Sequence, residues 1–212
     1  MQDHVWYRPG EKKPDPKKKG KAASSSEAVG EQKGPGFRIR MASLIERGEF
    51  DAELDGRHSA ASVPNFVMLE TAIAGVGALL EGDEAEEITQ LLRSFHSEAG
   101  AKDDGGERAG ASATERAQIA QVEDVLKKSW PAYRQLIEQS ARYRNLMPLL
   151  AFQRFVDGFE NVTGTDGKLV EFERDANGQI PDTVLRRIHP ALLYAVGNRA
   201  YSFQYSVGEE KN

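Results

Sequence analysis

Side chains able to do chemistry are scattered along this chain. Four histidines, His4, His58, His96 and His189, stand far apart, and none has a second histidine or a carboxylate at the four-residue spacing that puts two ligands on one helix face. They read as ordinary surface or half-buried residues. Glu173-Arg174-Asp175-Ala176-Asn177-Gly178 imitates the start of a calcium loop, with oxygen ligands at its first, third and fifth positions and glycine at its sixth. The twelfth position, where a bidentate glutamate closes such a site, is Val184, so the segment reads as a turn before a helix. There is no Gly-x-Gly-x-x-Gly after a strand, no Walker lysine and no serine in a nucleophile elbow, and no carboxylate pair stands out from the solvated ones. No catalytic residue, metal or cofactor is expected, and the chain reads as a protein that is not an enzyme.

Residues suited to macromolecular contact are more distinctive. Lys12, Lys13, Lys17, Lys18, Lys19 and Lys21 form a basic run, and neutralising phosphates by charge density alone suffices for nucleic-acid binding. Glu11, Asp15, Glu27 and Glu31 dilute that run, and no aromatic residue lies among the lysines to stack on a base. A solvated arm, or one ordered by a protein partner, is the better reading. Trp6-Tyr7 and Trp130 fit protein contact, because aromatic anchors dominate interface energetics; the plainer alternative is that each covers a helix of its own core.

The elements that would position these residues follow from periodicity and punctuation. Val5-Trp6-Tyr7-Arg8 and Phe37-Arg38-Ile39-Arg40-Met41 read as two strands of a ribbon joined by a long loop, needing a helix to pack on. From Ser43 the period becomes helical: Leu44, Ile45, Phe50 and Leu54 share one side, with Gly56 placed to end the helix. A second helix from about Pro64 to Glu81 carries Phe66, Leu69, Ile73, Val76 and Leu80 on a stripe and Ala72, Ala74, Gly75, Gly77 and Ala78 opposite, where small residues admit a neighbouring backbone. Gly82-Asp83 separates it from a third helix with Ile88, Leu91, Leu92 and Phe95 in register and Glu84, Glu86 and Glu87 in the first turn.

Thr114 is placed to cap the next helix, with Ile119, Val122, Val125 and Leu126. Trp130-Pro131 reads as a kink or as the start of another helix, which restarts at Pro148 and reaches Phe159. Asp166-Gly167 closes a short hairpin or ordered loop, Asp175 to Gly178 makes a second turn, and Pro181-Asp182 opens a helix with Val184, Leu185, Ile188, Leu192 and Leu193, bent at Pro190.

The fold class is therefore mainly α, with helical bundle-like packing, a small N-terminal β-ribbon and a short C-terminal hairpin or loop. The chain divides into a flexible basic arm over 1–36, a strand plus three-helix unit over 37–99, a linker over 100–113, a helical region over 114–207 with a turn-rich segment at 160–180, and a polar tail over 208–212.

With 212 residues, no cysteine, net charge −5 and 39% hydrophobic residues, the chain has room for one domain of mixed content or two small ones. The missing cysteines exclude disulfides, zinc–thiolate sites and thiol catalysis and suit a reducing compartment, with the cytoplasm as the expected address. The most apolar stretch, Val67 to Leu80, contains Glu70 and falls short of the ~20 apolar residues that cross a bilayer, so no membrane association is expected. No basic-then-apolar leader is visible at the start, which leaves Asn161-Val162-Thr163 a chance sequon.

Two blocks carry a family resemblance. Phe37 to Met41 leading into Leu44-Ile45-Glu46-Arg47-Gly48-Glu49-Phe50-Asp51-Ala52-Glu53-Leu54 resembles a strand-to-helix pattern of tail-assembly proteins of long-tailed, siphovirus-like bacteriophages. Phe155-Val156-Asp157-Gly158-Phe159-Glu160-Asn161-Val162 with Asp166-Gly167-Lys168-Leu169-Val170-Glu171-Phe172 is similar to a Gly-Trp-x-x-Val … Asp-Gly-x-x-x-x-Phe segment of small phage tail chaperones, with Phe159 where tryptophan is usual. The resemblance covers about half the chain.

It implies a non-enzymatic tail assembly chaperone in the host cytoplasm that keeps the tape-measure protein soluble and recruits tail-tube protein. The runner-up is a structural virion protein of the tail or head–tail junction, contacting neighbouring subunits; a basic-armed nucleic-acid-binding protein comes third. A homo-oligomer is compatible with either of the first two. Partner contacts are accordingly expected at Trp6, Tyr7, Leu69, Ile73, Val76, Leu80, Trp130 and Phe159.

Overall fold

A computed structural model describes residues 4–10, 34–100 and 112–205. The lysine run, most of the expected linker and the polar tail lie outside the described residues. The protein is mainly α, with seven α-helices and one antiparallel sheet of order β1-β2-β3 among the described residues. The chain forms two compact units: 1–53 with 144–212, and 54–143. The stretch 37–99 is thus divided between them.

In the first unit, β1 (His4–Tyr7) pairs antiparallel with β2 (Gly36–Arg40), so the expected ribbon is present. The basic–apolar alternation of β2 works as a strand period does, with Phe37 and Ile39 fully buried and Arg38 exposed. A third strand, β3 (Val156–Glu160), lies on the other side of β2. This corrects the expected helix through Phe159. The helix stops at Phe155, and from Val156 the backbone pairs with β2, placing Phe159 against Phe37 at 6.0 Å. Register shifts between Arg38 and Ile39, which pair with Gly158 and Val156, so Asp157 is an extra, bulged residue.

Ser43 caps α1 (Leu44–Ala52) in a reciprocal capping box with Glu46. Phe50 is buried, but Leu44 and Ile45 are 78% and 75% exposed, against the expected shared face. At 3.6 residues per turn, Leu44 lies about 120° around the helix from Phe50. Gly56 does not end this helix. A π-helical turn, Glu53–Arg57, contains Gly56, and Ser59 adopts the left-handed conformation at φ 48°.

α6 (Asp182–Leu185) and α7 (Pro190–Tyr205) replace the single bent helix expected after Pro181. Gly197 of α7 lies so close to α5 (Pro131–Phe155) that a Cβ there would sit 1.9 Å from the Pro148 carbonyl oxygen. α5 runs unbroken through Pro148, correcting the expected restart, because an interior proline removes only one helix hydrogen bond when packing holds the rest.

The second unit holds α2 (Asn65–Leu79), α3 (Asp83–Gly100), α4 (Ala113–Ser129) and the first part of α5. Ser112, not Thr114, caps α4, because Glu115 three residues on completes a capping box. Trp130 is the C-cap of α4 and Pro131 starts α5, so that pair begins a new helix. The core gathers Ala72, Val76, Leu92, Ile119, Leu126 and Tyr133. Gly75 makes room for side chains of α4 rather than for a backbone: its added Cβ would lie 2.7 Å from Leu126 Cδ2.

Candidate interaction site

The first unit has a cleft of about 540 Å³ lined by Arg40, Glu46, Asp157, Phe172, Arg174, Asn177 and Gly178. Its charges answer one another. The bulge turns Asp157 toward Arg38, whose Nε donates to Asp157 Oδ1 at 2.9 Å, while His4 Nδ1 meets Oδ2 at 2.9 Å. Arg40 donates to Glu46 and to the Arg154 carbonyl, and its hydrogen bond to Glu46 holds that carboxyl below its usual range. Arg174 donates to the carbonyls of Gly178 and Val156 and lies over the Phe172 ring. Burial, then the neighbouring Arg40, lower its pKa. The cleft is a network that ties the strands and the following loop together.

That loop is the expected short hairpin in reduced form, with a single bridge between Thr163 and Leu169 and Gly167 at φ 75°. Asp175, at the third position of the calcium-loop imitation, accepts from the backbone N–H groups of Asn177 and Gln179, which makes this segment a turn. Among the described residues, no group of three or more histidine, aspartate or glutamate side chains comes together to hold a metal ion. No helix among them is long and apolar enough to cross a membrane.

The second unit carries a groove of about 400 Å³ between α2, α3 and α4. Val76 and Leu126 are buried at its base; Leu79 and Val125, 40% and 53% exposed, stand at its edge, with Leu80, Ile88 and Val122 along the walls. Glu84 is the acidic residue that lines it. Asp83, Glu84 and Glu86 occupy the first turn of α3, where the helix dipole favours negative charge. On α4, Lys127 meets Glu123 at 3.6 Å and Lys128 meets Asp124 at 2.5 Å, so the acids of the helix answer its lysines.

The eight residues expected at partner contacts are not brought to one place. Trp6 is 51% exposed on edge strand β1 with the Arg8 guanidinium over its ring, and Tyr7, half-buried, pairs with Phe37. Val76 lies in the core of the second unit, with Leu69, Leu80 and Trp130 packed against it, and Ile73 is half-buried. The Trp130 ring is held beside Gly75, and its buried indole N–H finds no acceptor among the described residues. Phe159 is half-buried between Phe37 and Phe172.

Sequence reasoning placed Ile88, Val122 and Val125 in helical stripes without seeing that they would line a groove, and it passed over Leu79. The available signal was α2 itself, in which Glu70 is the one charged residue and apolar or small side chains fill most of the rest, which marks a helix wanting cover on more than one side. No family model, curated protein or solved structure matches this chain.

Proposed function

We propose that this protein is a non-enzymatic assembly chaperone of long-tailed phage, binding the tape-measure or tail-tube protein in the host cytoplasm during tail morphogenesis. The observation that carries the reading is the meeting of the two blocks that resemble tail-assembly proteins. β2, from the first, pairs with β3, from the second, and an aromatic row runs from Phe37 through Phe159 to Phe172 at ring separations of 6.0 and 5.2 Å. Strands more than a hundred positions apart in sequence thus belong to one packed unit.

The test is co-expression with the tape-measure and tail-tube proteins of the same phage, followed by pull-down. Co-purification with either supports the chaperone, which is then absent from finished virions. A second reading, a structural virion protein of the tail or head–tail junction, is favoured by edge strand β1, whose outer side no described strand pairs and whose Trp6 is half exposed. Stoichiometric copy number in virions without co-purification decides for it. Tight, steeply salt-dependent binding to a DNA duplex that survives Trp6→Ala with Tyr7→Ala would overturn both.

A further inference from the structure

We infer that the groove between α2, α3 and α4 seats an amphipathic helix from another protein, which presents a row of aliphatic side chains to the groove and basic residues at its flank. The apolar lining comes first. Leu79 and Val125 stand exposed beside Leu80, Ile88 and Val122, in a channel of about 400 Å³.

The walls decide the occupant's secondary structure. They are helices, whose backbone groups are bonded internally, so an extended peptide laid in the groove would leave its own N–H and C=O groups unpaired. A helix brings its hydrogen bonds with it.

Charge decides its chemistry. Glu84 lines the groove, and Glu81, Asp83, Glu86 and Glu87 are exposed around the same turn, none in an ion pair with a described residue. This acidic rim attracts a basic flank and repels a second copy of the same face, which argues against a symmetric dimer here. The chain's own lysine run carries the right charge but no aliphatic row at helical spacing. The inference deepens the chaperone reading and rests on it only for the identity of the natural partner.

The experiment titrates the full chain, by calorimetry, with two synthetic helical peptides of equal length that share a leucine row at three- and four-residue spacing. One carries lysine at the remaining positions and the other glutamate. The lysine peptide is expected to bind at least about tenfold more tightly, with a preference that shrinks as salt rises. Leu79→Gln with Val125→Gln, both at exposed positions and in good helix formers, is expected to weaken that binding about tenfold or more. Glu84→Gln with Glu87→Gln is expected to narrow the preference between peptides while keeping the contact. Hydrogen exchange on the unmutated chain adds a readout that no variant can confound: protection gained over 79–88 and 121–129 supports the groove. Equal affinity for the two peptides, no binding, or binding that ignores Leu79 and Val125 overturns it. Peptide binding without co-purification of a tail protein upholds the groove and rejects the chaperone, whereas co-purification undiminished by Leu79→Gln with Val125→Gln does the reverse.

Discussion

Gln204 shows how much one side chain holds. Fully buried, it accepts from the Ala42 N–H at 2.7 Å and donates to the carbonyls of Arg40 and Ala200, fastening α7 to the chain just beyond β2. Gln204→Leu keeps the volume but strands those groups, and urea melts are expected to show a loss of about 2–3 kcal/mol, since an orphaned buried polar group costs ~1–3 kcal/mol. Two glycines in helices give opposite signs. Gly197→Ala forces a methyl onto the Pro148 backbone, which cannot rotate away, and is expected to destabilise by about 3 kcal/mol or more. Gly48→Ala, in α1 with open space around it, is expected to stabilise by about 0.5–1 kcal/mol. Glu46 predicts a pH dependence. Its folded pKa is lowered from 4.5 by Arg40 first, so its contribution is complete above that value and is lost as pH falls through the folded pKa. The stability difference between the protein and Glu46→Gln is therefore expected to shrink in melts run from pH 6 down toward pH 3.

At the scale of elements, the bulge in β3 connects sequence to organisation. By adding one residue it aims Asp157 at Arg38 of β2 and His4 of β1, so one carboxylate spans all three strands. Arg38 is partly exposed, which limits the pair to the small energies of screened ion pairs. Asp157→Asn is expected to cost only about 0.5–1 kcal/mol globally while accelerating amide exchange in His4–Tyr7, because β1 is an edge strand whose start is tied to β3 through His4 and Asp157, as its end is through Arg8 and Glu160. Unchanged exchange there would reject this role for the bulge. The start of α1 was legible at Ser43, where the period turns helical, whereas the start of α4 was read two residues late, at Thr114 instead of Ser112. The end of α5 was not legible, since Val156–Glu160 chooses strand only because β2 offers a partner.

At the scale of the molecule, two cores share one chain, with α5 belonging to both units. Leu92 is 2% exposed in the core of the second unit, and Leu92→Ala is expected to cost about 2–4 kcal/mol. Hydrogen exchange following that substitution should rise more across α2, α3 and α4 than in β2 and β3, as expected where cooperativity follows packed units. Equal acceleration in both would mean that the chain unfolds as a single cooperative body.

What the amino-acid sequence determined by itself was local: the strand alternation of Phe37 to Arg40, the helical periods, the Asp-Gly and Asn-Gly turns, and the mainly helical class. Each rests on interactions within a few residues, where backbone sterics and side-chain spacing decide. Tertiary structure alone decided that β3 pairs with β2 and that Leu44 and Ile45 face outward. It also decided that Val76 is core while Leu79 of the same helix and Val125 of α4 edge a groove, although all three are aliphatic. Periodicity shows that a helix has an apolar side; which apolar residues meet a neighbour and which are left at an opening depends on where distant segments pack, and that is set by the sum of long-range contacts.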